Sequence, residues 1–297
     1  MKQDIRSFFK LGILQWMSYP RMEETESLRL ICEDDFFEAV ELKGYGHRTG
    51  EAAALLKQSH LQVSYAAQPQ MLAGSLNPNA VDEQERLRCE EALLKMLGEA
   101  EALGASGFSF LTGKWNGQTR DEALRQLLKT TDTICTAAAA KGIFAEVEVF
   151  DYDVDKCSLI GPAPLAAEYA KQVREKHSNF GLIVDLSHIP ISHETSEFTV
   201  HTLRDYISHF HYGNCVMIPG ADAYGDKHPR FGYPNSENDI PELVNYLRVL
   251  RREGFFRPEA PYVLSMEVTP RPGENEQILV ANTKRVLTRA WAMLEEE

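Results

Sequence analysis

Short apolar segments rich in β-favouring residues alternate with longer amphipathic or Ala/Leu-rich segments along the whole chain. The apolar runs predict strands at 11–17, 38–42, 61–66, 107–111, 143–149, 181–185, 210–215 and 262–267. Between and after them the pattern predicts helices at 25–34, 50–58, 82–102, 119–141, 164–177, 199–207, 241–254 and 275–294. In 82–102 the apolar positions Leu87, Leu94, Leu97 and Ala100 fall near helical spacing. Thr49 reads as the N-cap of 50–58. Thr119 or Asp121 opens 119–141, and Gly142 follows its end, where a left-handed residue often closes a helix. This strict alternation predicts a single-domain, closed parallel (β/α)8 TIM barrel over residues 1–297. An open doubly wound sheet is the alternative, but no Gly-rich phosphate fingerprint follows the first strand. No linker, internal repeat or low-complexity tract divides the chain.

The chain's 297 residues suit such a barrel, which typically needs about 250. The charge changes the picture more. With 31 basic and 44 acidic residues the net charge is −13, which argues against a surface that grips a phosphate backbone. No nucleic-acid partner is expected. Cys32, Cys89, Cys135, Cys157 and Cys215 are scattered with no CxxC pair. There is no leader-like start and no long apolar run. Free thiols in a reducing cytoplasm, away from membranes, are the expectation.

Candidate chemistry gathers at the predicted strand ends, which share one mouth in such a barrel. The stretch Leu182-Ile183-Val184-Asp185-Leu186-Ser187-His188 runs from an apolar strand into a carboxylate and a His. Alone, Asp185 reads equally as a turn or capping residue. Strand five adds Glu146 and Glu148 on one face, strand seven adds His209 and His211 on one face, and strand eight ends in Glu267. A Glu, Asp, His, Glu set on four consecutive strands suits Mn2+, Mg2+ or Zn2+. Three buried carboxylates without a cation would cost several kcal/mol per charge. Separate surface salt bridges are the blander alternative.

The Gly/Pro/Asp-rich loop 219–239 is long enough to carry function, and holds Asp226, His228 and Arg230. These suit recognition of an oxyanion or hydroxyl, or a further metal site; a solvated turn is the alternative. Trp16 at the end of strand one and Trp115 after strand four could stack on a sugar or simply pack. Lys43 and Lys114 also follow strand ends, where they could meet an anionic group or stand in solvent.

On Ala145-Glu146-Val147-Glu148, Val184-Asp185-Leu186-Ser187-His188, Phe210-His211, Ser265-Met266-Glu267 and the Asp/His/Arg/Gly loop, nearly the whole chain resembles the xylose isomerase-like TIM barrel superfamily. It is most similar to the sugar (phosphate) isomerase/epimerase group, which includes ketose 3-epimerases, hydroxypyruvate isomerases and inosose-processing enzymes. The resemblance implies a divalent ion held by Glu148, Asp185, His211 and Glu267, with Mn2+ foremost and Mg2+, Zn2+ or Co2+ as alternatives. Glu146, one pleat deeper, reads as a buried partner behind them. The resemblance places His188, His228 and Arg230 against substrate, and Asp226, Trp16 and Trp115 are further candidates for substrate contact. Asn214 departs from the Asp that many members carry there.

The implied reaction is isomerisation or epimerisation of a sugar, sugar phosphate or keto acid, through a metal-bound enediolate. Glu148 and Glu267 would be the acid/base pair. A small-molecule sugar is the implied partner, with a homodimer or homotetramer as the implied assembly. Three rivals stay open: a metal-dependent lyase on an oxidised sugar conjugate, a zinc-dependent abasic-site endonuclease, and a non-catalytic sugar-binding barrel. Asp226 and His228, with His188, resemble the endonuclease's third-metal ligands. Neither strand three nor strand four supplies the His that its other metals require.

Overall fold

The computed structural model describes residues 3–114 and 119–295. Eight parallel strands close in chain order, β1 through β8 and back to β1. They are β1 Phe9–Leu14, β2 Ala39–Leu42, β3 Gln62–Ala66, β4 Gly107–Phe110, β5 Phe144–Glu148, β6 Phe180–Asp185, β7 Ile207–Gly213 and β8 Tyr262–Glu267. The α-helices are α1 Gln15–Ser18, α2 Glu24–Glu33, α3 Thr49–Ser59, α4 Gln68–Ala73, α5 Glu83–Ala102, α6 Arg120–Ala139, α7 Ala163–Arg174, α8 His188–Ile191, α9 Ser196–Leu203, α10 Ile240–Arg252 and α11 Glu276–Glu295. The predicted (β/α)8 barrel is the fold observed.

Alternation along the strands sorts residues into two populations. Phe9, Leu11, Ile13, Val40, Tyr65, Phe108, Phe110, Val147, Leu182, Phe210, Tyr212, Leu264 and Met266 belong to one apolar cluster that also takes in the buried faces of the helices. The alternate positions Glu41, Ser64, Ser109, Glu146, His209 and Ser265 are buried and polar, and lie inside the barrel. Barrel interiors are commonly filled by Val, Ile and Leu. Here the main apolar core is instead the annulus between sheet and helices.

Two predicted strands shift. β1 covers Phe9–Leu14, not 11–17, because the chain turns into the short helix α1 at Gln15. The Gln15 amide anchors that turn by donating to the Glu24 carbonyl at 2.6 Å and to Ser27 Oγ at 2.8 Å. Trp16 therefore stands on a helical turn beyond the strand. β7 begins at Ile207, ahead of the predicted 210, and the preceding helix α9 ends at Leu203. Ser208 and His209 disguise the start of that strand, since polar residues there turn inward.

Candidate metal centre

The strand register brings the four predicted ligands to the carboxyl end of the barrel. His211 on β7 is level with Asp185 on β6, and Gly213 is level with Glu267 on β8. Glu148 closes β5 beside them. One ligand atom from each of Glu148, Asp185, His211 and Glu267 lies within 4.8 Å of every other, and all four residues are buried.

Glu148, Asp185 and His211 are each held from behind. Gln68, just past β3, donates to Glu148 Oε2 at 2.9 Å, and Ser109 holds that amide by donating to its Oε1 at 3.1 Å. The Ser187 amide donates to Asp185 Oδ1 at 3.0 Å, and the Ser187 hydroxyl donates to its other oxygen. His211 Nε2 meets Glu41 Oε1 at 3.0 Å. The facing atoms are different: Glu148 Oε1, His211 Nδ1 and Glu267 Oε2 are buried without a hydrogen-bond partner. Buried polar atoms seldom go unpaired. Three that converge beside Asp185 could take a cation, and an O₃N donor set fits a hard or borderline divalent ion.

Burial raises the Glu267 carboxyl above its ordinary value against the pull of His228, and the nearby Glu148 charge adds to the rise. A bound cation would oppose it. Burial alone would lower the His211 pKa, but Glu41 and the two facing glutamates hold it well above the usual imidazole range.

A second group adjoins the first. Asp226 Oδ1 lies 3.1 Å from His188 Nε2 and 2.5 Å from His228 Nε2, while Lys156 Nζ lies 2.5 Å from Asp226 Oδ2. His188 Nδ1 donates to the Val149 carbonyl at 3.0 Å. Against burial, Asp226 and its acidic neighbours hold His188 well above the imidazole range. Burial likewise opposes the rise at His228, which Glu267 and Asp226 push up to about 9. Burial would raise Asp226, yet His228 and His188 hold it well below the carboxylate range. Three basic side chains thus surround one carboxylate. Asp185, His188 and His228 also form a possible ligand trio.

Arg230 is turned toward Glu274, with Nε donating at 3.0 Å, and toward the Gly232 carbonyl at 2.9 Å. Its guanidinium stacks over Tyr233. Trp16 is half-buried on α1, and Trp115 lies outside the described residues. Lys43 pairs with Glu24 at 3.1 Å. Asn214 stitches the long loop, donating to the Arg230 carbonyl at 2.9 Å and accepting from the Asn238 amide at 2.8 Å. Glu146, one pleat below Glu148, accepts from Ser208 Oγ at 2.6 Å. On the far side of Lys156, segments following β3, β4 and β5 form a cavity of about 590 Å³, lined among others by Met71, Leu76, Leu111, Lys114 and Lys156 itself.

Glu41, Gln68 and Lys156 are absent from the sequence-based site. Glu41 carried a signal, a lone carboxylate in the apolar run Ala39-Val40-Glu41-Leu42. Gln68 and Lys156 carried none, since an amide and a loop lysine are common anywhere.

The family model for the xylose isomerase-like TIM barrel matches residues 32–281. The chain belongs to that family. No curated protein matches it in sequence. Among solved structures, a D-tagatose 3-epimerase-like protein is similar at 19% identity and a TM-score of 0.73, covering 97% of this chain and 99% of that one. The IOLI protein with a bound zinc atom is similar at 14% identity and a TM-score of 0.73, covering 96% and 99%. An AP endonuclease, family 2, from Brucella melitensis is similar at 19% identity and a TM-score of 0.68, covering 90% and 95%. Others of the same fold are named as 3-epimerases of D-psicose, D-allulose and L-ribulose. At such identities these likenesses speak to fold. Glu148, Asp185, His211 and Glu267 stand at the carboxyl end of the barrel, the face on which active sites of this fold form.

Proposed function

We propose that the protein is a divalent-metal-dependent isomerase or epimerase of a small sugar or sugar derivative. The observation that carries this is the convergence of Glu148 Oε1, His211 Nδ1 and Glu267 Oε2, all buried and unpartnered, beside Asp185. Glu148, Asp185, His211 and Glu267 would hold the cation, with Mn2+ the leading choice. A bound divalent ion supplies charge that stabilises an oxyanion and so acidifies the neighbouring C–H.

The rest is the work of side chains. Glu148 and Glu267 reach in from β5 and β8, on different sides of the mouth, and form the acid/base pair. One carboxylate takes the proton from the carbon next to the carbonyl, and the same or the other carboxyl returns one. Return to the neighbouring carbon gives an isomer. Return to the opposite face of the original carbon gives an epimer. Gln68 keeps Glu148 aimed by holding its far oxygen. His188, Asp226, His228 and Lys156 form the polar wall that takes substrate hydroxyls. The cavity of about 590 Å³ falls in the range of small-molecule sites and gives a sugar room beside them. The named relatives that act on ketoses support this reading.

The endonuclease reading draws on the Asp226, His188 and His228 group. Two observations weigh against it. The Lys156 ammonium already occupies Asp226 Oδ2. The ends of β3 and β4 offer Gln68 and Ser109 where further metal ligands would be needed.

The test is solvent exchange. The Mn2+-loaded protein in D₂O, given a panel of free and phosphorylated ketoses, is expected to place deuterium on the carbon beside the carbonyl of at least one sugar. A chelator should stop the exchange. Absence of both metal uptake and exchange across the panel would overturn the assignment.

A further inference from the structure

Glu41 lies within the barrel, 1% exposed, on a strand that contributes no ligand. Its Oε1 is 3.0 Å from His211 Nε2 and 3.1 Å from His209 Nε2. His211 turns its other nitrogen toward the ligand set, with Nδ1 2.9 Å from Glu267 Oε2 and 3.6 Å from Glu148 Oε1. That nitrogen has no hydrogen-bond partner. A neutral imidazole carries one N–H, and an ionised carboxylate can only accept. The hydrogen bond at Nε2 therefore decides what Nδ1 can do.

We propose that Glu41 is a positioning residue that holds His211 as the Nε2–H tautomer, so that Nδ1 presents a lone pair to a divalent cation. This rests on the metal-centre reading above and adds a residue that touches neither the ion nor the substrate.

His209 completes the device. It sits between two carboxylates, with Nε2 on Glu41 Oε1 and Nδ1 3.5 Å from Glu146 Oε2. Ser265 Oγ lies 3.2 Å from His209 Nε2. An imidazole donating to both glutamates fixes the same Glu41 oxygen that His211 Nε2 meets. Glu41, His209 and His211 are close enough to suggest an ion of their own. Yet among the described residues no atom of Glu41 or His209 is left buried and unpartnered. The trio is a support for the centre above it. Partners behind a metal-bound His typically carry a 10- to 100-fold share of affinity.

The discriminating variant is Glu41→Gln, which keeps the size but removes the obligate acceptor. Its Mn2+ affinity by titration calorimetry should fall about 10- to 100-fold, while its metal-free melting stays close to that of the parent. Imidazole ¹⁵N spectra of the Zn2+-loaded parent should show His211 with its proton on Nε2, and Glu41→Gln should lose that signal. Wild-type Mn2+ affinity in Glu41→Gln would overturn the proposal. So would a Zn2+-loaded parent whose His211 carries its proton on Nδ1, a result that decides the matter even if the variant does not fold. No uptake of Mn2+ or Zn2+ by the parent would overturn the metal centre itself and this role with it.

Discussion

Exchanging Glu148 or Glu267 for Gln keeps shape and burial but removes a charge and a proton carrier. Either variant should lose turnover by at least about 10²- to 10⁴-fold, the usual reach of a positioned acid or base. Both should stay folded by circular dichroism, because neither side chain packs in the apolar annulus. Wild-type exchange of deuterium in either variant would break the two-carboxylate scheme. At this scale the four candidate ligand positions are readable from the sequence for a physical reason. Glu148, Asp185 and Glu267 close strands whose apolar runs announce them, His211 stands two residues short of the end of β7, and strand ends of a parallel barrel meet. Glu41, in mid-strand, obeys no such end rule. Gln68 acts through an amide whose importance comes only from the Glu148 oxygen it meets across 80 residues. Arg230 is a suggestive residue whose partners in the fold are Glu274 and its own loop.

Among the elements, α5 and α6 are pinned by a polar clasp as well as by Leu93, Leu97, Leu127 and Ile134. Arg86 grips Glu83 with two nitrogens at 3.0 Å each, and donates to Thr130 Oγ1 of α6 at 3.0 Å. Gln126 of α6 adds a bond to Glu83 at 2.8 Å. Arg86 and then Gln126 lower the Glu83 carboxyl from 4.5 to about 2. A depressed carboxylate contributes stability above its unfolded pKa and loses it as pH falls through the folded one. The clasp should therefore work fully above about pH 4.5 and fade toward pH 2. Thermal melts of Glu83→Gln should fall below the parent at pH 6 and converge with it near pH 2 to 3. A gap independent of pH would contradict this. Element existence is readable here because 82–102 and 119–141 have helical period and capping residues. Element edges are less so. β1 and β7 depart from expectation where Gln15 anchors an early turn and where inward-facing Ser208 and His209 mask a strand.

For the whole molecule, stability resides in the ring of apolar contacts between strands and helices. Phe210 is fully buried there, its ring centroid 4.9 Å from Phe255 and 5.7 Å from Tyr262. Phe210→Ala should cost about 3–5 kcal/mol in urea unfolding, although the flanking His209 and His211 face the other way. A cost under about 1 kcal/mol would mean that the ring does not carry the fold. The alternation of strands and helices makes this ring readable from the sequence. The hydrophilic filling of the barrel axis is not, because single Ser and Glu residues inside apolar runs look like noise one strand at a time.

That hydrophilic axis bears on how such a chain changes over generations. Side chains of the proposed site and side chains that hold the barrel shut occupy alternate positions on the same strands. A substitution on the axis can redirect the reaction or the preferred ion with little loss of foldedness, and a substitution on the ring can adjust hardiness to heat with little effect on the reaction. Selection can then act on the two nearly independently, which makes the scaffold easy to repurpose for new small molecules.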